Sequence, residues 1–105
     1  MKECTMRKRL MRHFPNAQTE VQCPYGRVDI VTDDTIYEVK SGILTPTRLF
    51  EAIGQLSMYG LHYYGYRKVI VFDFYSSVPK NISALSAMGI EAWTIDDASV
   101  IRFVL

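Results

Sequence analysis

The stretch Lys68–Phe74, KVIVFDF, constrains the fold more than any other part of the chain. It is too dense in β-branched and aromatic residues, and too short, for an amphipathic helix, so it predicts a strand buried in the middle of a sheet. Neighbouring strands are visible on either side in sequence. From Gln18 to Lys40 the texture is β-rich and is broken by two turn signals, Pro24-Tyr25-Gly26 and Asp33-Asp34. These residues read as three short antiparallel strands at 18–23, 27–32 and 35–40. Ile90–Ile95 and Val100–Val104 predict two more around an Asp96-Asp97 turn.

Helical periodicity fills the intervals. Met6, Leu10, Met11 and Phe14 recur at helical spacing over residues 3–14 until Pro15-Asn16 ends the pattern, giving a first helix that is basic on its outer side. A second helix is expected to take Thr45 as N-cap and Pro46 as its first residue. It runs to about Tyr63 with Leu49, Ala52, Ile53, Leu56, Gly60 and Tyr63 along one stripe. Pro79–Met88 predicts a short helix that Gly89 terminates. The predicted order is α-β-β-β-α-β-α-β-β, an α/β arrangement of the α+β kind with a mixed sheet and helices packed on it. At 105 residues and 12.1 kDa the chain has room for one domain, spanning residues 1–105.

Composition narrows the function classes. Hydrophobic residues at 49% and charged residues at 22% are those of an ordinary globular protein, neither disordered nor collagen-like. No apolar run approaches the roughly 18 residues a membrane span needs. The N-terminus has basic residues where a signal peptide needs its apolar stretch, so an intracellular, cytoplasmic protein with no membrane partner is expected. Cys4 and Cys23 are too few for a disulfide framework and lack zinc-binding spacing; they read as small apolar residues. The net charge of +1 is unevenly spread. Residues 1–13 hold five Lys/Arg against one Glu, or +4, leaving −3 for the rest. A local basic patch can follow phosphates, and a solvated helix face explains it equally well.

The carboxylates carry the chemistry. A two-residue turn at Asp33-Asp34 pairs residues whose numbers sum to 67, so Asp29 lies opposite Glu38. If Pro24-Tyr25 is also a two-residue tip, pairs sum to 49 and Glu20 falls opposite Asp29. Three carboxylates then form a row across three strands, with Lys40 on the same face. Carboxylates set directly opposite one another repel by up to about 1 kcal/mol per pair, more if partly buried. A divalent cation offsets that repulsion, and oxygen ligands at strand spacing suit Mg²⁺, which also takes substrate phosphate oxygens. Lys40 would then stand as a compact cation beside the scissile phosphate. An exposed sheet face with interspersed charges is the plainer alternative.

Arg27-Val28-Asp29-Ile30, eight intervening residues, and then Glu38-Val39-Lys40 resemble the active-site signature of the PD-(D/E)XK nuclease superfamily. Gln55-Leu56-Ser57-Met58-Tyr59 stands where many members carry Gln-x-x-x-Tyr on the following helix. The family's core order, a helix, three antiparallel strands, a helix and a strand, matches residues 3–74 as read above. The resemblance implies a restriction-endonuclease-like core and a Mg²⁺- or Mn²⁺-dependent deoxyribonuclease with no organic cofactor. Asp29, Glu38 and the Val39 carbonyl would hold the metal, Lys40 would position the water, and Gln55 and Tyr59 would support the site. Many members take a further Glu from the first helix, for which Glu3 is the match. Cross-strand geometry favours Glu20, which is the preferred first acid. Val28 replaces the family proline. Arg7, Lys8, Arg12 and Arg48 are the expected nucleic-acid contacts. The minimal size resembles stand-alone phage, viral or archaeal members acting on replication, repair or branched-DNA intermediates, in the host cytoplasm if phage or viral.

Two other readings stay open: an RNA-directed nuclease, and a catalytically inactive nucleic-acid or protein adaptor. His13 and His62 are 49 positions apart with no triad or zinc partners and read as helix-edge residues. There is no GxSxG elbow and no phosphate-binding glycine loop. The tyrosines from Tyr59 to Tyr66 could stack on unpaired bases, although packing against the sheet is the commoner use. Trp93 and Phe103 are expected in the core or an interface. The last two strands leave an edge that a second copy could pair with, forming a homodimer.

Overall fold

The computed structural model describes residues 1–73 and 79–105. Its elements are α1 (Glu3–His13), β1 (Gln18–Cys23), β2 (Gly26–Val31), β3 (Thr35–Lys40), α2 (Pro46–His62), β4 (Arg67–Asp73), a 3-10 turn (Lys80–Ser83), α3 (Ala84–Ala87), β5 (Ile90–Ile95) and β6 (Ile101–Phe103). The six strands form one mixed sheet in the order β1-β2-β3-β4-β5-β6. The pairs β3–β4 and β4–β5 are parallel and the others antiparallel.

KVIVFDF is buried for the reason its composition suggested: alternate side chains serve two cores. Val69 and Val71 face α1, together with Met6, Leu10, Ile30, Tyr37, Val39, Trp93 and Ile95. Ile70 and Phe72 face α2 and α3, together with Val28, Ile36, Leu49, Ala52, Leu56 and Leu85. The sheet is therefore covered on both faces, and every residue of β3 is buried. The Phe74 end of the predicted strand lies outside the described residues.

Helix α2 begins as its sequence dictates. The Thr45 hydroxyl accepts from the Arg48 amide at 3.2 Å, and Pro46 occupies a first-turn position where no amide is needed. Between Pro79 and Met88 the expected single helix is instead a 3-10 turn followed by four helical residues; among the side chains described there, Ile82 and Leu85 are the ones that find buried places. β6 shortens to three residues and leaves Phe103 73% exposed, while Trp93 is buried. Among the described residues no helix is long and apolar enough to cross a membrane.

Helix α1 rests on two fully buried side chains, Met6 and Leu10. Its far end is tied to the β5–β6 turn. Arg9 Nη1 donates to the Asp96 carbonyl at 3.0 Å, and His13 Nε2 lies 2.6 Å from the Ser99 carbonyl, which can only accept. Phe14 stacks on Tyr37 with ring centroids 5.5 Å apart. Truncating Leu10 to alanine removes one of two anchors. Leu10→Ala should lower unfolding free energy by about 2–5 kcal/mol in urea titrations, with α1 amides losing hydrogen-exchange protection before those of β4.

Candidate active site

The β2–β3 ladder begins as the Asp33-Asp34 turn requires: Val31 pairs with Ile36 and Ile30 with Tyr37, both summing to 67. It stops there. In a regular strand Val28 and Ile30 would face the same way, yet Val28 joins the α2-side core and Ile30 the α1-side core. The alternation breaks at Asp29, as in a bulge. Across from it Glu20 has φ of 51°, a left-handed conformation uncommon for a non-glycine residue. The β1–β2 pairs still sum to 49 on both sides of the break, from Cys23–Gly26 to Gln18–Val31, and skip Glu20 and Asp29.

The break sets up the chemistry. The Val39 amide donates to Asp29 Oδ2 at 2.8 Å, so a side-chain carboxylate stands where a backbone carbonyl would continue the ladder. Glu38, Val39 and Lys40 remain paired to β4 but have no backbone ladder partner on β2. The side-chain acceptor holds Asp29 beside Glu38.

Glu38 is 4% exposed, and its Oε2 is buried with no hydrogen-bond partner among the described residues. Its Oε1 lies 3.7 Å from Lys40 Nζ, itself on a buried residue. Burial, first, and then the Asp29 carboxylate push the Glu38 carboxyl up to about 8; Lys40 opposes the shift, and Glu3 adds to it. One cation thus serves two close carboxyl groups, and a proton or a further cation has to make up the difference.

Of the two candidates for a further acid, neither joins Asp29 and Glu38 in a cluster among the described residues, and Glu3 is the one whose charge acts on Glu38. Glu20 is exposed, and its carboxylate sits 3.5 Å from Arg7 Nη2, so the expected three-carboxylate row across β1, β2 and β3 does not form. The register arithmetic was sound; the backbone reversal at Glu20 redirects the side chain. Glu3, opening α1, is the carboxylate whose charge reaches Glu38. Among the described residues no three His, Cys, Asp or Glu side chains gather closely enough to form a metal site by themselves. The oxygen donors available are therefore Asp29, Glu38 and the carbonyl of Val39, which follows Glu38, with Glu3 outside the cluster.

Tyr59 and Gln55 take different places. The Tyr59 hydroxyl donates to the Arg27 carbonyl at 3.0 Å and buttresses β2 two residues before Asp29. Burial, then Glu38 and Asp29, raise its pKa, which places it near the acidic pair. Its ring lies against Gly26, whose φ of 134° suits glycine and where an added Cβ would meet Tyr59 Cε1 at 3.2 Å. Gln55 lines a groove on the flank of α2 with Tyr25, Glu51, Met58 and Tyr59, and its Oε1 is buried without a partner among the described residues.

The expected phosphate contacts divide likewise. Lys8 and Arg12 are exposed on α1, whereas Arg7 pairs with Glu20. Arg48 Nη1 donates to the carbonyls of Ser41 and Ile43, so that nitrogen closes the β3–α2 loop instead of facing outward. Asp73 went unnoticed in the sequence. It is 3% exposed at the end of β4, with Oδ2 3.1 Å from the Met1 amine. A lone acid inside KVIVFDF was the signal, since a carboxylate in such a strand needs a cationic partner.

Comparison with known protein families, with curated proteins and with solved structures gives no match to this chain.

Glu38 makes stability depend on pH. Its folded pKa, raised from 4.5 to about 8, means that the native state binds the proton more tightly than the unfolded chain does. That stabilisation is complete below about pH 4.5 and is lost as pH rises through about 8. Without divalent metal, the stability of the wild type minus that of Glu38→Gln should fall by up to a few kcal/mol between about pH 5 and pH 9, read from urea midpoints. A divalent cation held between Asp29 and Glu38 would compete with that proton, so Mn²⁺ affinity, read by calorimetry, should rise over the same interval.

Proposed function

We propose that the chain is a metal-dependent nuclease that hydrolyses phosphodiester bonds in DNA, a small member of the PD-(D/E)XK nucleases. The observation that carries this reading is the buried Glu38 Oε2, without a hydrogen-bond partner among the described residues, on a carboxylate that lies beside Asp29 and whose other oxygen, Oε1, is 3.7 Å from Lys40 Nζ. Such a trio is unfavourable by itself and suits a divalent cation and a phosphate group together. The order α1-β1-β2-β3-α2-β4, with Asp29 on one strand and Glu38-x-Lys40 on the next, supports it.

In this mechanism Asp29, Glu38 and the Val39 carbonyl hold Mg²⁺ or Mn²⁺, with Glu3 placed to add charge from α1. The ion, when bound, supplies positive charge against the two carboxylates and against the charge that develops on the phosphoryl group. Lys40 would hold and orient the attacking water, whose oxygen bonds to phosphorus as the ester P–O bond breaks; the water gives up a proton to solvent and the leaving oxygen takes one from solvent. Because Lys40 is buried and already faces Glu38, its ammonium is preorganised instead of recruited from solvent. Tyr59 keeps β2, and with it Asp29, in place through Arg27. Exposed Lys8 and Arg12 supply sequence-independent attraction for the backbone of the substrate.

Cleavage of linear, supercoiled, single-stranded and branched DNA, and of RNA, assayed with Mg²⁺, Mn²⁺ or EDTA, tests the proposal. Activity should require the metal and fall by about 10²–10⁴-fold in Lys40→Ala and in Asp29→Asn. Glu20→Gln should retain activity within a few-fold of wild type, and Glu3→Gln should weaken metal binding. Cleavage that survives both EDTA and Lys40→Ala overturns the mechanism. Binding without cleavage under every condition replaces it with an adaptor, and cleavage of RNA alone changes the substrate.

A further inference from the structure

Helix α2 is apolar on both sides. Leu49, Ala52, Leu56 and Tyr59 face the sheet. Turned half a circle away, at 100° per residue, are Thr47, Phe50, Gly54, Ser57, Met58 and Leu61, all exposed. Phe50 is 60% and Leu61 63% exposed, and the one charged residue at the margin of the strip is Glu51, as far from its middle as Ser57 on the other side. Ile43 and Tyr25, also exposed, extend the apolar surface beyond the helix. A helix with apolar residues on two opposite faces normally packs on a second partner, and an exposed apolar patch of this kind marks an interaction site.

The strip is complementary to itself, and we infer that it is the interface of a two-fold homodimer in which α2 packs antiparallel against α2 of a second copy. A two-fold axis between Gly54 and Ser57 sets residue i near residue 111 − i of the copy. Gly54 then faces Ser57, and a Cβ added at Gly54 would meet nothing within 4 Å, so the helices can approach to about 8 Å at the crossing. On either side of that crossing Phe50 packs on Leu61 of the copy. The axis returns each flank of the strip to the same flank of its copy. Glu51 consequently comes beside His62, the basic residue of the helix's last turn, giving two symmetric acid–histidine contacts. An uncharged centre meets its copy without repulsion. A nucleic acid or anionic membrane surface does not suit this face, because the one basic residue in the first turns of the helix, Arg48, is directed to the loop carbonyls. Another exposed apolar surface among the described residues, around Phe103 on β6, belongs to the short edge strand and is separate from this one.

Sedimentation equilibrium distinguishes the surfaces. Wild type at high micromolar concentration should have twice the 12.1 kDa chain mass. Phe50→Lys and Leu61→Glu, both at exposed positions, should each be monomeric with unchanged circular dichroism. An equimolar mixture of the two should dimerise again, because Lys at 50 then meets Glu at 61 across one half of the interface while Leu61 meets Phe50 across the other. Phe103→Glu should remain a dimer. A monomeric wild type overturns the inference; so does a dimer that survives Leu61→Glu, one that is lost in Phe103→Glu, or a mixture that stays monomeric.

Discussion

The hydrogen bond from the Val39 amide to Asp29 Oδ2 is the constraint on which the site depends. In an antiparallel ladder that amide would take a main-chain carbonyl, and the side chains of β2 and β3 would continue to alternate in register. Substituting a carboxylate for the carbonyl satisfies the donor while ending the strand pairing. It draws Asp29 against β3 next to Glu38, a position in which two acids repel. The compensating feature lies one strand away, where Glu20 adopts a left-handed conformation so that β1 follows the break in β2 without losing its own register. Strain of that kind costs of order 1–3 kcal/mol and persists where surrounding structure over-determines it.

Those surroundings are rigid because β3 is the most enclosed strand of the sheet. Its side chains alternate between two cores, and β4 pairs with it along its whole length from Thr35 to Lys40. The rigid side therefore carries Glu38 and Lys40, and the side with a bulge carries Asp29. This division explains why Glu38 stays buried and bears the raised pKa: it cannot swing to solvent without disturbing a strand packed on both faces. On the proposed function the energy stored in that unfavourable pair is released when a cation binds, so affinity for metal and instability of the metal-free fold have the same source.

Much of this was legible in the chain. The bounds of β1, β3 and β5 and the Thr45-Pro46 start of α2 follow from local turn and cap chemistry, which tertiary structure left intact. The two-residue turn fixes the β2–β3 register as far as Ile30–Tyr37, which brings Asp29 close to Glu38 although the expected direct pair between them does not form. What could not be read was the bulge. Nothing in Thr19-Glu20-Val21 marks a left-handed residue, so a row of three carboxylates was the natural expectation, and Glu20 turned out to pair with Arg7. Arg48 misled for a related reason, since a basic residue at a helix start can serve either phosphate or the preceding loop, and only the path of the loop decides. Asp73 needed the position of Met1, which is far from it in sequence.

Helix α1 links these elements, and its attachment shows why a terminal segment bears on the site. The Met1 amine meets Asp73 at the end of β4, Met6 and Leu10 enter the core, and Arg9 and His13 hold the β5–β6 turn. Glu3 lies between the first two of these fixed points, so its carboxylate is held near the C-terminal ends of β3 and β4, where its charge reaches Glu38. The opposite, basic face of the same helix presents Lys8 and Arg12 to solvent. On the proposed function, a single amphipathic element brings a negative charge toward the cation site and positive charges toward the phosphates of the substrate. The +4 clustered in residues 1–13 makes sense on this arrangement, because the acid and the bases leave the helix in different directions while its apolar stripe sets their orientation.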